Sequence, residues 1–258
     1  MRENRIRTLW AADKPVVNSW LTIPDAFCAE TLAHAGFDSL TVDMQHGLIG
    51  FEAAVSMLTA ISSTPTVPVV RVPWLDQGIV MKMLDAGAYG IICPMVNTRA
   101  DAELFVSALR YPPEGCRSFG PARAVLHAGS DYVQHANDTV AGLAMIETRE
   151  ALDNLDEILS VKGLDAVYIG PNDLALSLGR EPRSDVDDLR VVEAVEHILA
   201  KAQQHGVIAG MHNSSPAYAR RWANKGFRFV TVGADVSFLV GGATQALAGL
   251  GVAPSDTA

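Results

Sequence analysis

Short runs of apolar residues alternate along the whole chain with longer amphipathic stretches. Continuous apolar runs are typical of strands buried on both faces, whereas apolar residues three and four positions apart indicate helices with one buried face. The predicted strands are Val16–Ile23, Ser39–Met44, Pro68–Val72, Gly90–Met95, Leu143–Glu147, Ala166–Gly170, Val207–Met211 and Phe229–Gly233. The predicted helices are Phe51–Ile61, Gly78–Ala86, Ala100–Leu109, Arg149–Leu159, Leu189–His205 and Pro216–Lys225. This alternation favours repeated βα units around a parallel sheet.

The number of predicted strands distinguishes two parallel-sheet architectures. Eight βα units in a chain of 258 residues have the size and rhythm of a (β/α)8 barrel. The alternative is an open doubly wound sheet, which usually has fewer strands and often a glycine-rich loop after the first. Here the first strand ends in TIPDAF instead. We therefore predict an α/β fold with a single (β/α)8 barrel domain over residues 1–258.

One stretch breaks the regular alternation. Tyr111–Gly129, with the sequence YPPEGCRSFGPARAVLHAG, contains three Pro and three Gly. An irregular segment of this length inside a compact domain is usually functional. We therefore expect this segment to contribute to a binding site.

Charge and cysteine content narrow the class of partner. Twenty Lys and Arg against 29 Asp and Glu give a net charge of −9, which excludes the clustered basic surface that nucleic acid or an anionic membrane requires. Cys28, Cys93 and Cys116 show no CxxC spacing, so reduced thiols are predicted rather than a disulfide framework. We read no signal peptide and no membrane-spanning run. A cytoplasmic protein with a small-molecule partner is expected.

Polar side chains occur where several predicted strands end. They are Asp43, Gln45, His46, Arg71, Glu147 and Asp173. In a (β/α)8 barrel the carboxyl ends of all strands meet at one mouth, where active sites lie. Paired carboxylates are ligands that hard cations such as Mg²⁺ and Mn²⁺ prefer. The sequence thus predicts carboxylates, a histidine and an arginine around one barrel mouth.

Most of these residues also have a structural interpretation. Asp173 could cap the helix that follows it. Glu147 could form a salt bridge with Arg71 or Arg149, because a lone buried carboxylate is costly. His46 could be a hydrogen-bonded structural histidine. Arg71 is the strongest functional candidate, since a guanidinium within a barrel strand must face the open end and meet an anion.

Other catalytic chemistries lack their motifs. The chain contains no GxxxxGK[ST], GxSxG, HExxH or HxH sequence, so a phosphate loop, an elbow serine and a zinc site are not predicted. In this reading no lysine lies at a strand end, which argues against a Schiff-base mechanism. The lysines are Lys14, Lys82, Lys162, Lys201 and Lys225.

An ordered set of motifs spans nearly the whole chain: VDMQHG, VVRV, IICPM, YPPEGCRSFGPARA, IETREALDNL and YIGPNDLALSLG. In this order the chain resembles the metal-dependent 2-keto acid aldolases of the HpcH/HpaI type, which include hydroxy-oxo-heptanedioate aldolase and macrophomate synthase. The resemblance implies a TIM barrel of the phosphoenolpyruvate/pyruvate type with a divalent cation, Mg²⁺, Mn²⁺ or Co²⁺. It also implies that a pyruvate or hydroxypyruvate enolate combines with an aldehyde to give a 4-hydroxy-2-oxo acid.

The same resemblance implies roles for individual residues. The implied metal ligands are Glu147 and Asp173, the contact to the keto oxygen is Arg71, the base dyad is His46 with Asp85, and an acid near the metal is Asp43. The implied site for the substrate carboxylate is the turn Gly170, Pro171, Asn172 and Asp173, and the candidates for the aldehyde pocket are Trp20, Arg117, Ser118 and Arg123. Gln45 departs from the family, which often has Glu there, and so removes a negative charge from the site.

The resemblance also implies a homo-oligomer, a hexamer built as a trimer of dimers, in which the last helix packs on a neighbouring barrel. The partners expected are therefore a small 2-keto acid, an aldehyde and further copies of the chain. An alternative enzyme class is a carbon–carbon lyase of the citrate lyase or malyl-CoA lyase type, which would need room for a CoA tail. A non-enzymatic alternative is a barrel that only binds a chelated keto acid.

Overall fold

The computed structural model of the protein describes residues 1–251, and residues 252–258, which the domain prediction included, lie outside the described part. The strands are β1 (Val16–Leu21), β2 (Ser39–Asp43), β3 (Val67–Arg71), β4 (Gly90–Cys93), β5 (Ala141–Ile146), β6 (Ala166–Ile169), β7 (Ile208–Met211) and β8 (Phe229–Ala234). The helices are α1 (Arg5–Ala11), α2 (Ala26–Ala33), α3 (Phe51–Ile61), α4 (Gln77–Asp85), α5 (Arg99–Leu109), α6 (Ala124–Ala128), α7 (Tyr132–Thr139), α8 (Arg149–Asp153), α9 (Leu155–Leu159), α10 (Pro171–Ser177), α11 (Leu189–His205), α12 (Pro216–Lys225) and α13 (Asp235–Gly249).

The eight strands close into a parallel barrel in the order of the sequence. Closure occurs where β8 pairs with β1, with Val16 opposite Phe229 and Asn18 opposite Thr231. All eight predicted strands are present, and the predicted (β/α)8 barrel is confirmed. The open doubly wound alternative is wrong, because β1 and β8 are paired with each other rather than left as sheet edges.

Successive residues of each strand contribute to two separate apolar clusters, as the period of two in a strand requires. One cluster fills the barrel and includes Val16, Val67, Val69, Leu143, Tyr168 and Phe229. The other lies between the barrel wall and the helices and includes Leu40, Val42, Val70, Ile91, Val167 and Val230. Burial on both faces explains why the strands read as continuous apolar runs.

The helices follow the predicted pattern where one face is polar. The bounds of α3, α11 and α12 are those predicted, whereas Arg149–Leu159 is divided into α8 and α9 at Asn154. The pattern did not predict α1, α2, α6, α7, α10 or α13. These helices are short or, like α13, apolar around most of their circumference, so a 3.6-residue period gives no signal. Within residues 1–251, no helix combines the length and apolar character needed to cross a membrane.

The N-terminal end of the barrel is closed by α1, α6 and α7. Ile6 of α1 and Tyr132 of α7 are fully buried in the cluster that fills the barrel. The side-chain amide of Asn4 donates to the carbonyl oxygens of Tyr89 and Thr139, at 3.1 and 2.8 Å. These contacts tie the first residues of the chain to Tyr89, just before β4, and to the C-terminal end of α7, which precedes β5. The barrel is therefore sealed at this end, which leaves the opposite end for a site.

His127, in this N-terminal closure, gives a pH-dependent prediction. Its Nδ1 accepts a hydrogen bond from Arg2 at 3.2 Å and its Nε2 is buried without a partner in the described structure. Burial, with repulsion from Arg2 and Arg123, lowers the pKa of His127 to about 4. In the unfolded chain, His127 binds a proton below its ordinary pKa near 6.5, whereas in the folded chain it does not. The free energy of unfolding therefore falls as the pH falls from about 6.5 to 4.

Replacing His127 by Phe is expected to remove this part of the acid sensitivity. Because the ring is only partly buried, we expect the variant to retain about 1–2 kcal/mol more of its pH 7 stability at pH 4.5 than the wild type does. Urea unfolding at both pH values measures the difference. The exposed His34, replaced in the same way, is the control. Equal loss of stability in the wild type and H127F would show that His127 does not carry this dependence.

Candidate active site

A cavity of about 180 Å³ opens at the C-terminal end of the barrel. Its lining residues are Trp20, His46, Arg71, Met145, Tyr168, Gly170, Pro171, Asn172, Asp173 and His212. The positions predicted from strand ends, His46, Arg71 and Asp173, thus meet in one place. Trp20 and the turn 170–173, assigned from the family resemblance, line the same cavity. It is therefore the candidate active site.

The alternation of strand residues brings these side chains to the mouth. Arg71 follows Val67 and Val69 in the phase that faces the barrel interior, and Asp43 has the same phase on β2. The register places Asp43 directly opposite Arg71. Both are the last residues of their strands, so they lie at the carboxyl end where the cavity opens.

Arg71 and Asp43 form a buried bidentate ion pair. Nε and Nη2 of Arg71 donate to Oδ1 and Oδ2 of Asp43 at 2.8 and 2.7 Å. The indole ring of Trp20 lies 4.0 Å below the guanidinium carbon. Asp43 also accepts from the backbone N–H groups of Gln45 and His46, at 3.1 and 3.3 Å. The anion expected beside Arg71 is thus the chain's own Asp43, and both oxygens of Asp43 are occupied in orienting its neighbours.

Glu147 lies just past the end of β5, with 2% of its surface exposed. Its Oε1 accepts from the backbone N–H of Met95 at 2.8 Å, and neither Arg71 nor Arg149 forms the salt bridge weighed from the sequence. Burial, with a further contribution from the charge of Asp173, raises the pKa of Glu147 to about 7. A Cβ on Gly170 would lie 2.5 Å from Oε2 of Glu147. Any larger residue at position 170 would therefore displace this carboxylate from the position that it holds.

Asp173 is the third residue of α10 and its side chain does not cap this helix. The N-cap is Gly170, Pro171 occupies the first helical position, and no side chain caps the helix. The interpretation of Asp173 as a helix cap is thus not supported, and its carboxylate is free to face the cavity that it lines. The backbone N–H groups of Asn172 and Asp173 lie in this first turn, which has the polarity that favours an anion.

The residues present fit a hard divalent cation. Two carboxylates lie close enough for the charge of one to raise the pKa of the other, and Glu147 has a backbone N–H rather than a cation as its partner. Oxygen ligands of this kind suit Mg²⁺, Mn²⁺ or Co²⁺ with positions left for water and substrate. Within residues 1–251, no cluster of three or more His, Cys, Asp or Glu side chains is arranged to hold a metal by itself.

The predicted pairing of His46 with Asp85 does not form within one chain. Asp85 is the last residue of α4, which runs from the mouth back toward the N-terminal end of the barrel. There its Oδ1 accepts from Nη2 of Arg117 at 2.7 Å. His46 stays at the mouth, exposed. The sequence motifs identified both residues but not that they lie at opposite ends of the barrel.

The segment 111–129 lies away from this chain's mouth, so within one subunit it does not form part of the cavity. It connects α5 to β5 and therefore begins at the N-terminal end of the barrel, and α6 forms within it. Arg117 is buried between Asp85 and the Tyr132 hydroxyl. Arg123 donates to the carbonyl oxygen of Ala86 at 2.7 Å. Neither residue, nor Ser118 between them, lines the cavity.

Three lining residues were not predicted as site residues: Met145, Tyr168 and His212. Met145 and Tyr168 share the inward phase of β5 and β6, and His212 directly follows β7. The rule that selected His46 and Asp173, a polar residue just beyond a strand, also selects His212. Tyr168 could have been found from strand phase alone, since a tyrosine inside a barrel needs a partner for its hydroxyl.

Comparison with known proteins agrees with this geometry. A family model described as HpcH/HpaI aldolase/citrate lyase matches residues 18–241. A hydroxypyruvate/pyruvate aldolase from Rhizorhabdus wittichii is 48% identical over 95% of this chain and 98% of its own. A 4-hydroxy-2-oxo-heptane-1,7-dioate aldolase from Salmonella dublin is 36% identical over 95% and 94% of the two chains. A solved HpcH/HpaI aldolase/citrate lyase family protein from Burkholderia cenocepacia matches with a TM-score of 0.89 at 35% identity, over 96% of this chain and 99% of that one.

Proposed function

The chain belongs to the HpcH/HpaI aldolase/citrate lyase family and is an aldolase, and we propose that it forms and cleaves 4-hydroxy-2-oxo acids by way of a 2-keto acid enolate. The donor is pyruvate or hydroxypyruvate and the acceptor is an aldehyde. The observation that supports this best is the convergence of Glu147 and Asp173 with Arg71 at one small mouth. The names of the aldolases that this chain resembles agree with this reaction.

Glu147 and Asp173 are proposed to hold a divalent cation, Mg²⁺, Mn²⁺ or Co²⁺. A cation bound there would draw electron density from the keto group of the substrate and so ease loss of a C3 proton. The raised pKa of Glu147 reflects the cost of burying its ionised form. The charge of a bound cation would offset this cost. The two carboxylates would thus bind metal better once both are ionised.

Arg71 is proposed to stabilise the negative charge that develops on the keto oxygen. Asp43 engages Nε–H and one N–H of Nη2, which leaves Nη1 and the second N–H of Nη2 free to donate to substrate. The ion pair and the ring of Trp20 hold the guanidinium in one orientation before substrate arrives. Such preorganised donors contribute much of the stabilisation of an oxyanion.

The backbone N–H groups of Asn172 and Asp173 are proposed to bind the substrate carboxylate at the start of α10.

His46 is proposed to move the C3 proton through a water molecule, as a base in one direction and an acid in the other. Pairing of His46 with Asp85 then requires the Asp85 of a neighbouring subunit. Within one chain, His46 lies at the mouth after β2, whereas Asp85 lies at the C-terminal end of α4, away from the mouth. An aldehyde contact by Arg117, Ser118 or Arg123 requires a neighbouring subunit for the same reason.

A retro-aldol assay tests the proposal. Pyruvate released from a 4-hydroxy-2-oxo acid is reduced by lactate dehydrogenase, and the rate is followed before chelation, after chelation and after the metal is restored. We expect loss with chelator and recovery with Mg²⁺, Mn²⁺ or Co²⁺. Cleavage that survives complete removal of metal would contradict the proposal, as would a covalent adduct trapped by borohydride with pyruvate, which would reveal a lysine imine.

The last helix supports the proposed homo-oligomer. Asp235 is the only buried residue of α13, and it accepts hydrogen bonds from Thr22 and Ile23. Beyond it, α13 exposes Leu239, Val240 and Leu247. An apolar helix anchored at one end needs a further surface to cover it. We propose that the neighbouring barrel of a hexamer, a trimer of dimers, supplies this surface.

Replacing Leu239 and Val240 together by Glu is expected to dissociate this assembly. Light scattering after gel filtration should give the wild type a mass near six times the 27.5 kDa of one chain, and the double variant a smaller species. The exposed Leu189, replaced by Glu at the start of α11, is the control. A monomeric wild type would overturn the proposal, and an unchanged mass in the double variant would exclude α13 as the contact.

A further inference from the structure

A chain of hydrogen bonds runs through the barrel interior and ends at a cavity residue without an assigned role. Its members are Ser39, Thr41, Asn18, Thr231, Trp20, Tyr168 and His212. Asn18, Thr231 and Tyr168 are buried on the inward phase of β1, β8 and β6, and the register places Asn18 opposite Thr231. Because each hydroxyl has one proton, the direction of such a chain can be followed from end to end.

The direction starts at Asn18. Its Oδ1 accepts from the hydroxyls of Ser39 and Thr41, at 2.9 and 3.0 Å. Its Nδ2 therefore donates to Oγ1 of Thr231, at 3.0 Å. Oγ1 of Thr231 also accepts from Nε1 of Trp20, at 3.1 Å. Asn18 Nδ2 and Trp20 Nε1 can only donate, so the proton of the Thr231 hydroxyl must go to its remaining neighbour.

The onward acceptor is the hydroxyl of Tyr168, 2.7 Å from Oγ1 of Thr231. The single N–H of Trp20 is shared with the Tyr168 oxygen, 3.2 Å away. Because Trp20 cannot accept, the proton of Tyr168 is directed to the remaining neighbour, Nδ1 of His212, at 3.4 Å. Complete burial raises the pKa of Tyr168, which keeps this proton in place. Nδ1 of His212 is consequently the acceptor nitrogen of the ring.

A neutral His212 with an acceptor Nδ1 carries its proton on Nε2. Burial, together with repulsion from Arg71, lowers the pKa of His212 to about 4, so the ring is neutral near pH 7. Within residues 1–251, Nε2 of His212 has no hydrogen-bond partner, and this atom remains accessible to solvent. His212 lines the cavity and packs edge-on against Trp20, with ring centroids 5.1 Å apart.

We propose that His212 is a specificity-determining residue whose Nε2–H donates a hydrogen bond to an oxygen of the substrate in the mouth, beyond the keto acid group that Arg71 contacts. This rests on the proposed function. A neutral N–H favours a hydroxyl or a carbonyl oxygen over a methyl group, because binding an apolar group there leaves the donor unpaired. Two sources of such an oxygen fit the reaction: the C3 hydroxyl of a hydroxypyruvate-type donor and the carbonyl of the aldehyde.

The tautomer can be read without catalysis. The 15N chemical shifts of the His212 ring in the free enzyme at pH 7.5, assigned by their disappearance in H212Q, should show a protonated Nε2 and an unprotonated Nδ1. In Y168F, which removes only the hydroxyl, Nδ1 loses its donor and the preference for one tautomer should weaken. A protonated Nδ1 in the wild type would overturn this proposal independently of whether the enzyme forms a 2-keto acid enolate.

Kinetics then identify the oxygen that is recognised. We expect H212F to lower kcat/KM roughly tenfold, as the loss of one hydrogen bond to substrate should, and H212Q, which retains a donor, to recover part of it. A loss confined to hydroxypyruvate assigns the donor hydroxyl. If instead kcat/KM falls with both hydroxypyruvate and pyruvate, while C3 proton exchange measured without an aldehyde is unchanged, the oxygen recognised by His212 is that of the aldehyde. A change below twofold for every donor and aldehyde pair overturns the proposal, while wild-type exchange shows separately that the proposed function holds.

Discussion

Replacing Glu147 by Gln is expected to lower kcat for retro-aldol cleavage by at least about 10³-fold while the barrel remains folded. Gln keeps the shape of the side chain and an oxygen that can accept from the N–H of Met95, but it removes the charge that would hold a cation. Losing a Lewis acid removes several kcal/mol of charge stabilisation from the transition state, which corresponds to this factor. Asp173→Asn should behave alike. Steady-state rates at saturating metal measure both.

The same substitution should stabilise the metal-free protein at alkaline pH. Because the pKa of Glu147 is raised to about 7 in the folded chain, the folded state holds a proton that the unfolded state has lost between about pH 4.5 and 7. Stability therefore falls as the pH rises through that range, by up to about 3 kcal/mol. E147Q has no such loss, so it should be more stable than the wild type at pH 8 with chelator present.

Added metal should reverse this order, since it stabilises only a protein that binds it. Thermal unfolding at pH 8 with and without Mg²⁺ or Mn²⁺ measures the shift, which we expect for the wild type and not for E147Q. The exposed Glu150, replaced by Gln in α8, is the matched control. Turnover by E147Q and D173N at the wild-type rate would contradict the proposed roles of these carboxylates.

Replacing Arg71 by Lys is expected to lower kcat by about 10²–10³-fold, the usual cost of losing a preorganised donor to a developing oxyanion. Lys keeps the charge but lacks the planar fork that matches both oxygens of Asp43 while further N–H groups face the substrate. The effect should appear in kcat more than in KM, because the charge on the keto oxygen develops in the transition state. Stopped-flow or steady-state kinetics with one aldehyde separate the two parameters.

Two companion variants separate catalysis from folding. Arg71→Met leaves the buried Asp43 without its counter-ion and should cost about 3–5 kcal/mol of stability, whereas Arg71→Lys should cost less. Arg99→Lys, at an exposed ion pair with Glu103, should change neither activity nor stability. Wild-type kcat in R71K, with the unfolding free energy unchanged, would show that Arg71 has no part in the chemistry.

The fold was predictable because strand burial leaves a local signature. Runs such as the residues of β3 and β6 are apolar on both faces, and their number and spacing alone indicate the barrel. The mouth was predictable for a related reason: the charged residues of the eight strands, Asp43 and Arg71, occur only at the last strand position, where the strand ends at solvent or ligand. The ordered motifs of the family then assigned Trp20 and the turn before α10 to the same cavity.

Contacts between distant elements were not predictable. Neither the motif around Asp85 nor the one around Arg117 indicates at which end of the barrel it lies, and α4 carries Asp85 away from His46. The roles of Tyr168 and His212 depend on a hydrogen-bond network that joins four strands through side chains far apart in sequence. Such networks form only when the barrel closes, and they leave no repeating pattern of residues in the sequence.

Exchange of the C3 protons of pyruvate in deuterated water tests the central claim most directly, because it follows enolate formation alone, without an aldehyde. Proton NMR of the pyruvate methyl group should show exchange in the wild type with Mg²⁺ or Mn²⁺, loss of exchange with chelator, and its return when metal is restored. E147Q should exchange at least about 10³-fold more slowly. Absence of exchange in the metal-loaded wild type, or undiminished exchange after chelation and in E147Q, would contradict a metal-dependent enolate at this mouth.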